Sequence, residues 1–124
     1  MTYKITIPFT LPGTNQYVGE NRRSKYKGNK TKRDIESNLA LIINNALRGV
    51  TLKTPVTLDY LWVEKNRKRD KDNIAFAHKF IQDALVKSGK LSNDGWAEVA
   101  GFSHRFAVDK NYPRVEVEIT EVLE

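Results

Sequence analysis

The sequence predicts an α+β domain, with two helices packed on one face of a four-stranded mixed sheet. Three observations carry that expectation. Four stretches alternate apolar and polar residues with the period of a strand. Two others line up apolar residues on one helical face. Their order along the chain, β-α-β-α-β-β, suits helices layered on one side of a sheet. At 124 residues and 40% apolar content, residues 1–124 close one core and read as a single domain.

Each element has a local cause. Tyr3, Ile5, Ile7 and Phe9 alternate as a first strand, which Pro8 and Pro12 end. Residues 13–29 are polar, basic and glycine-containing, and read as a loop. From about Thr31 to Leu47, Ile35, Leu39, Ile42, Ile43, Ala46 and Leu47 form one apolar stripe, a first helix that Arg48-Gly49 stops. Pro55 precedes a second alternating stretch, Val56, Leu58, Tyr60 and Trp62. The charged run 65–71 extends that strand or leaves it as a loop. A second helix starts near Asp72-Asn73, both good N-cap residues, carries Ile74, Ala77, Ile81, Ala84 and Leu85, and ends at Ser88-Gly89. Leu91 to Gly95 is a turn with an Asn-Asp-Gly signal. Ala100, Phe102, His104, Phe106 and Val108 alternate as a third strand. Asn111-Tyr112-Pro113 turns the chain into a fourth, with Val115, Val117 and Ile119.

Composition excludes several classes of function. The absence of cysteine rules out disulfide scaffolds, Cys-ligated zinc, iron–sulfur clusters and a thiol nucleophile. Two histidines, His78 and His104, do not make a His-rich metal site. No apolar run approaches the ~20 residues of a membrane span. Met1-Thr2-Tyr3-Lys4 lacks the apolar core of a signal peptide, so a cytoplasmic setting is expected. Lys and Arg number 21 against 15 acids, a net charge of +6. A basic surface of this kind suits polyanions, of which nucleic acid is the commonest.

The charge is clustered. Asn21 to Arg33 holds Arg22, Arg23, Lys25, Lys27, Lys30, Lys32 and Arg33 with no acid, and 65–71 holds Lys65, Arg67, Lys68, Arg69 and Lys71. Either run alone reads equally well as a solvated loop. Together they point to a surface that grips phosphates. Tyr26 in the first run has an aromatic ring that either stacks on a base or packs against the domain.

Asp70 and Asp72 follow the second strand directly. In extended chain, residues two apart share a face, so these carboxylates repel until a cation such as Mg²⁺ relieves them. Such pairs hold the ions with which nucleases activate water. Asp94, in the turn before the third strand, completes the site if that strand lies beside the second. Asn73 is placed to hydrogen-bond a carboxylate ligand or a metal-bound water. The ordinary alternative has Asp72 capping a helix, Asp70 paired with Arg69 or Lys71, and Asp94 making its turn. Lys79, two helical turns past Asp72, leans back towards the carboxylates and could stabilise charge on a scissile phosphate, or else it is a surface lysine. Asp83, four beyond Lys79, has ion-pair spacing. His78 reads as a surface residue of the second helix, His104 as a satisfied core histidine, and Trp62 and Trp96 as core or edge packing.

The run Arg69-Asp70-Lys71-Asp72-Asn73, followed by Lys79, Asp83-Ala84-Leu85, Gly89 and Asn93-Asp94, resembles the RusA family of Holliday junction resolvases. Leu11-Pro12 to Asn15, the chain length and the closing strand are similar as well. The resemblance implies a homodimeric, Mg²⁺-dependent endodeoxyribonuclease, with Mn²⁺ able to substitute. It would nick two opposing strands of a four-way DNA junction symmetrically, in recombination and repair, in a bacterial cytoplasm or of phage or prophage origin. It places metal binding on Asp70, Asp72 and Asp94 and the catalytic cation on Lys79, with Asn73 and Asn15 in support. Arg22, Arg23, Lys25, Lys27, Lys30, Lys32, Arg67, Lys68, Arg69 and Lys71 would contact DNA. This chain departs from the pattern in two places. The family lysine stands four residues after the second aspartate, where Phe76 is found here, so Lys79 requires about three extra residues early in the helix. The family's acidic pair is replaced here by Asn93-Asp94, of which only Asp94 can be a strong ligand. Two other readings remain: a non-catalytic basic nucleic-acid-binding module, and a nuclease of other branched DNA.

Overall fold

The computed structural model describes residues 1–13 and 25–122, with side chains from residue 32 onward in the first helix. Its elements are β1 (Thr2–Ile7), α1 (Lys25–Ala46), β2 (Val56–Glu64), α2 (Lys71–Ala75), α3 (His78–Lys87), β3 (Val99–Val108) and β4 (Arg114–Glu121). The strands form one mixed sheet in the order β1-β4-β2-β3. β4 pairs antiparallel with both β1 and β2, whereas β2 and β3 run parallel. A parallel pair cannot be closed by a hairpin, so α2 and α3 supply the crossover.

Alternation in the strands sets the core. Ile5 and Ile7, Val56, Leu58, Tyr60 and Trp62, and Val115, Val117 and Ile119 all turn inward. They meet Leu39, Ile43 and Leu47 of α1 and Ile74, Phe80, Ile81 and Leu85 of the crossover. The opposite sheet face is polar, with Lys4 paired to Glu116 at 2.7 Å. β3 is an edge strand, and much of it is exposed.

Two boundaries differ from the sequence reading. The loop expected through residue 29 gives way to helix at Lys25. Lysine is a good helix former and a lone Gly28 costs only about 1 kcal/mol, so the basic stretch joins the amphipathic one behind it. The second expected helix is two pieces, broken at Phe76-Ala77. There Ala77 N–H bonds Ile74 C=O at 3.3 Å and Lys79 N–H bonds Phe76 C=O at 3.2 Å, the tighter i→i−3 pattern. Gly49 and Gly89 close α1 and α3 in the left-handed conformation, with φ of 73° and 75°.

Candidate active site

The carboxyl ends of the parallel pair β2–β3, together with the start of α2, enclose an open cleft of about 800 Å³. Carboxyl ends of parallel strands are where such sheets commonly place ligands. The 65–71 segment forms one wall through Arg67, Arg69, Asp70, Lys71 and Asp72, and Phe106 to Val108 of β3 form the other.

Asp70 is the N-cap residue of α2, extended at φ −69° and ψ 152°, and its carbonyl accepts Ile74 N–H at 3.0 Å. Its carboxylate does not make the cap hydrogen bond. The sequence reading had given the cap to Asp72, which instead stands in the first turn and accepts the Asn73 N–H at 2.9 Å. Both aspartates are exposed. Among the described residues neither makes an ion pair, with Arg69, Lys71 or any other cation.

Arg69 is occupied elsewhere. Its Nε and Nη2 donate to the two oxygens of the buried Glu64, both at 2.9 Å, and Nη1 donates to Leu11 C=O at 2.9 Å. This bidentate clamp ties the 65–71 segment back to the end of β2 and to the segment after β1. Beside it, Gly13 packs so closely on Asn73 that a Cβ there would lie 2.5 Å from Asn73 Oδ1. Sequence reasoning missed both contacts, since a glutamate closing a strand and a glycine after Pro12 give no signal of their own. Lys71 lies over the Phe106 ring, 5.7 Å from its centroid. Arg67 and Lys68 are exposed.

Lys79 heads α3 beyond the break. Its ammonium lies 3.2 Å from Asp83 Oδ1 and 3.3 Å from Asp94 Oδ2. The hydrogen bond to Asp83 holds the lysine pKa above its ordinary value, with Asp94 adding to it against partial desolvation. That shift keeps the Lys79 amine protonated. The extra residues that the sequence places between Asp72 and Lys79 span the break at Phe76-Ala77.

A profile described as Endodeoxyribonuclease RusA matches residues 8–120, from the end of β1 to the end of β4. The chain belongs to that family. No curated protein matches it in sequence. Membership makes it an endodeoxyribonuclease, with Holliday junction DNA as the family's substrate. No helix among the described residues is long and apolar enough to cross a membrane.

β3 does lie beside β2, as the sequence argument required, and the pairing is parallel. Val99 therefore neighbours Val56, and Asp94 lies in the turn leading into β3, where its carboxylate meets Lys79 at 3.3 Å. Among the described residues no three His, Cys, Asp or Glu side chains are grouped closely enough to hold an ion. Asp72 is helical and not extended, so the shared strand face expected for it and Asp70 is not formed, but both line the cleft as exposed oxygen donors of the kind a hard divalent cation takes.

The remaining predicted residues are mixed in outcome. Asn15, Arg22 and Arg23 lie outside the described residues, as do the side chains of Lys25, Tyr26, Lys27 and Lys30. Lys32 sits on α1, 4.0 Å from Asp83. His104 accepts Trp62 Nε1–H at Nδ1, at 2.9 Å, and burial, then His78, lowers its pKa. His78, expected on the surface, is half-buried: its Nδ1 bonds Gln82 Oε1 at 2.6 Å and its ring stacks on Phe102. The break before α3 turns it inward. Trp62 is core, but Trp96 is fully exposed, because the turn after Gly95 directs it outward. Burial and the nearby Asp94 carboxylate push the Tyr60 phenol far up.

Proposed function

We propose that the protein is a divalent-metal-dependent resolvase that cuts four-way DNA junctions by paired, symmetric nicks, working as a homodimer in recombination and repair in a bacterial or phage-derived cytoplasmic setting. One observation carries the reading most directly. Among the described residues Asp70 and Asp72 stand exposed and without ion pairs in a cleft walled by Arg67 and Lys71, while the neighbouring Arg69 is committed to Glu64. Exposed carboxylate oxygens with no protein cation on them are the donors a hard divalent ion takes.

Asp70 and Asp72 would hold the metal, with Asp94 as third ligand; Mg²⁺ is the expected ion and Mn²⁺ a substitute. Bound there, such an ion lowers the pKa of water and stabilises charge on phosphate oxygens. Arg67, Lys68, Lys71, Lys32 and the basic start of α1 would neutralise phosphates of the DNA arms, positioning the branch without reading sequence. Arg69 acts on DNA indirectly in this arrangement, by holding the segment that bears both aspartates. Lys79 would offer a permanent positive charge to the phosphate as its negative charge grows. Asn73 would steady Asp72 through its N–H, and Asn15 would be a second supporting residue.

Incubating the protein with a synthetic four-way junction, with and without Mg²⁺, tests this. Symmetric nicks only in the presence of the ion are expected. Binding that never proceeds to cleavage in Mg²⁺ or Mn²⁺ would leave a non-catalytic DNA-binding module, and equal cutting of flaps would leave a general branched-DNA nuclease.

A further inference from the structure

We infer that Asp83 is a positioning residue for Lys79, holding its ammonium against the Asp94 turn, and that α1 holds Asp83 in turn. The inference rests on the reading of Lys79 as the catalytic cation.

The geometry is a chain of alternating charges across three parts of the fold. On α1, Glu36 is buried and pairs with Lys87 of α3, and Lys32 lies 3.9 Å from its Oε1. The same Lys32 Nζ lies 4.0 Å from Asp83 Oδ2. The other oxygen of Asp83, Oδ1, takes Lys79 at 3.2 Å, and Lys79 reaches on to Asp94 Oδ2 at 3.3 Å. Each oxygen of Asp83 thus faces a different helix. A carboxylate held from both sides cannot rotate freely, so it fixes where the lysine head sits.

Exposure separates the roles. The Asp83 side chain is only 17% exposed, against 59% for Lys79. Asp83 is tucked into the seam between α1 and α3, with little of it open to a substrate. Lys79 is the member that a phosphate could meet. A lysine has a long flexible stem, and left alone its charge would be spread over many rotamers. Two carboxylates, those of Asp83 and Asp94, both draw it towards one position.

The break at Phe76-Ala77 gives this device its purpose. The lysine stands about three residues further along the chain than the family pattern, on a helix with a start of its own. Its direction is not inherited from α2, so a partner on α3 itself must set it. Asp83, one turn on, is in place to do so.

The test uses the full chain and single-turnover cleavage of a four-way junction. Asp83→Asn should lower the cleavage rate constant by about 10²-fold, the scale of a misplaced catalytic group, with junction affinity within about twofold. Asp83→Glu should recover most of that rate, because a carboxylate is restored. The Lys79→Ala, Asp83→Asn double variant should cut no more slowly than Lys79→Ala alone, since Asp83 acts only through the lysine. Lys4→Gln, which removes the ion pair with Glu116 on the opposite face of the sheet, controls for lost stability and should leave the rate unchanged. Wild-type cleavage by Asp83→Asn, or losses that add in the double variant, would overturn the positioning role while leaving Lys79 in place. So would a loss that Glu fails to recover in a variant that melts at the wild-type temperature. Wild-type cleavage by Lys79→Ala would instead remove the reading on which the inference rests.

Discussion

Arg69 and Glu64 face each other fork to fork, two N–H···O bonds of 2.9 Å each, with the third arginine donor closing on Leu11 C=O. Arg69 belongs to a run of cations that would be expected to face solvent, yet it works as a strut. The strut fixes the residue immediately before Asp70, so cleft geometry and fold stability share one contact.

Replacing Glu64 with Gln is therefore expected to lower stability by about 1.5–3 kcal/mol, the range for hydrogen bonds to a charged group. Cleavage should fall as well, because the 65–71 segment loses its anchor. Denaturant melts with parallel junction assays check both. A variant as stable as wild type would reduce the clamp to a surface contact worth ~0–1 kcal/mol.

Asp70→Asn keeps size and removes one negative charge. Cleavage should collapse and divalent-ion binding should weaken. Affinity for junction DNA measured without metal should hold or rise, since a charge that repels phosphate has gone. Titrating Mn²⁺ into variant and wild type and following cleavage reads both effects. Unimpaired cutting would assign the metal elsewhere.

At Gly13 an added methyl group would lie 2.5 Å from Asn73 Oδ1. Gly13→Ala must push the Asn73 amide out of this contact, with a cost of about 1 kcal/mol, the low end for overpacking. Cleavage should drop with it, and Gly13→Ala combined with Asn73→Ala should regain stability as the clash is relieved. A thermal melt of the three variants decides the matter.

His104 gives stability a pH dependence of known sign. Burial, then His78, lowers its pKa in the folded protein below its value in the unfolded chain, about 6.5. As pH falls below that value the unfolded chain takes up the proton first, so stability is present above it and is lost on acidification. Protonating Nδ1 would also forfeit the bond from Trp62. Denaturant midpoints between pH 7.5 and 5.5 should fall in wild type and flatten in His104→Gln. Parallel slopes in both would assign the dependence to other groups.

The strands were legible because alternation is local. Val56, Leu58, Tyr60 and Trp62 bury one side of β2 whatever it pairs with, and Ile35, Leu39 and Ile43 mark the inner face of α1 in the same way. The Asp-x-Asp-Asn run and the residues around it carried the family for the same reason, being contiguous and chemically distinctive. Direction of pairing is not local. Nothing in residues 99–108 states that β3 will lie parallel to β2, and that choice requires the α2–α3 crossover, whose Lys79 meets Asp94 in the turn before β3. The break at Phe76-Ala77 was hidden as well, since both sides of it continue a helical apolar pattern. Glu64 and Arg69 showed only their charges, and Asp83 only a spacing. Whether a charge meets water, phosphate or a buried partner depends on which chain segments fold against it, and those contacts exist only once the sheet and helices have closed.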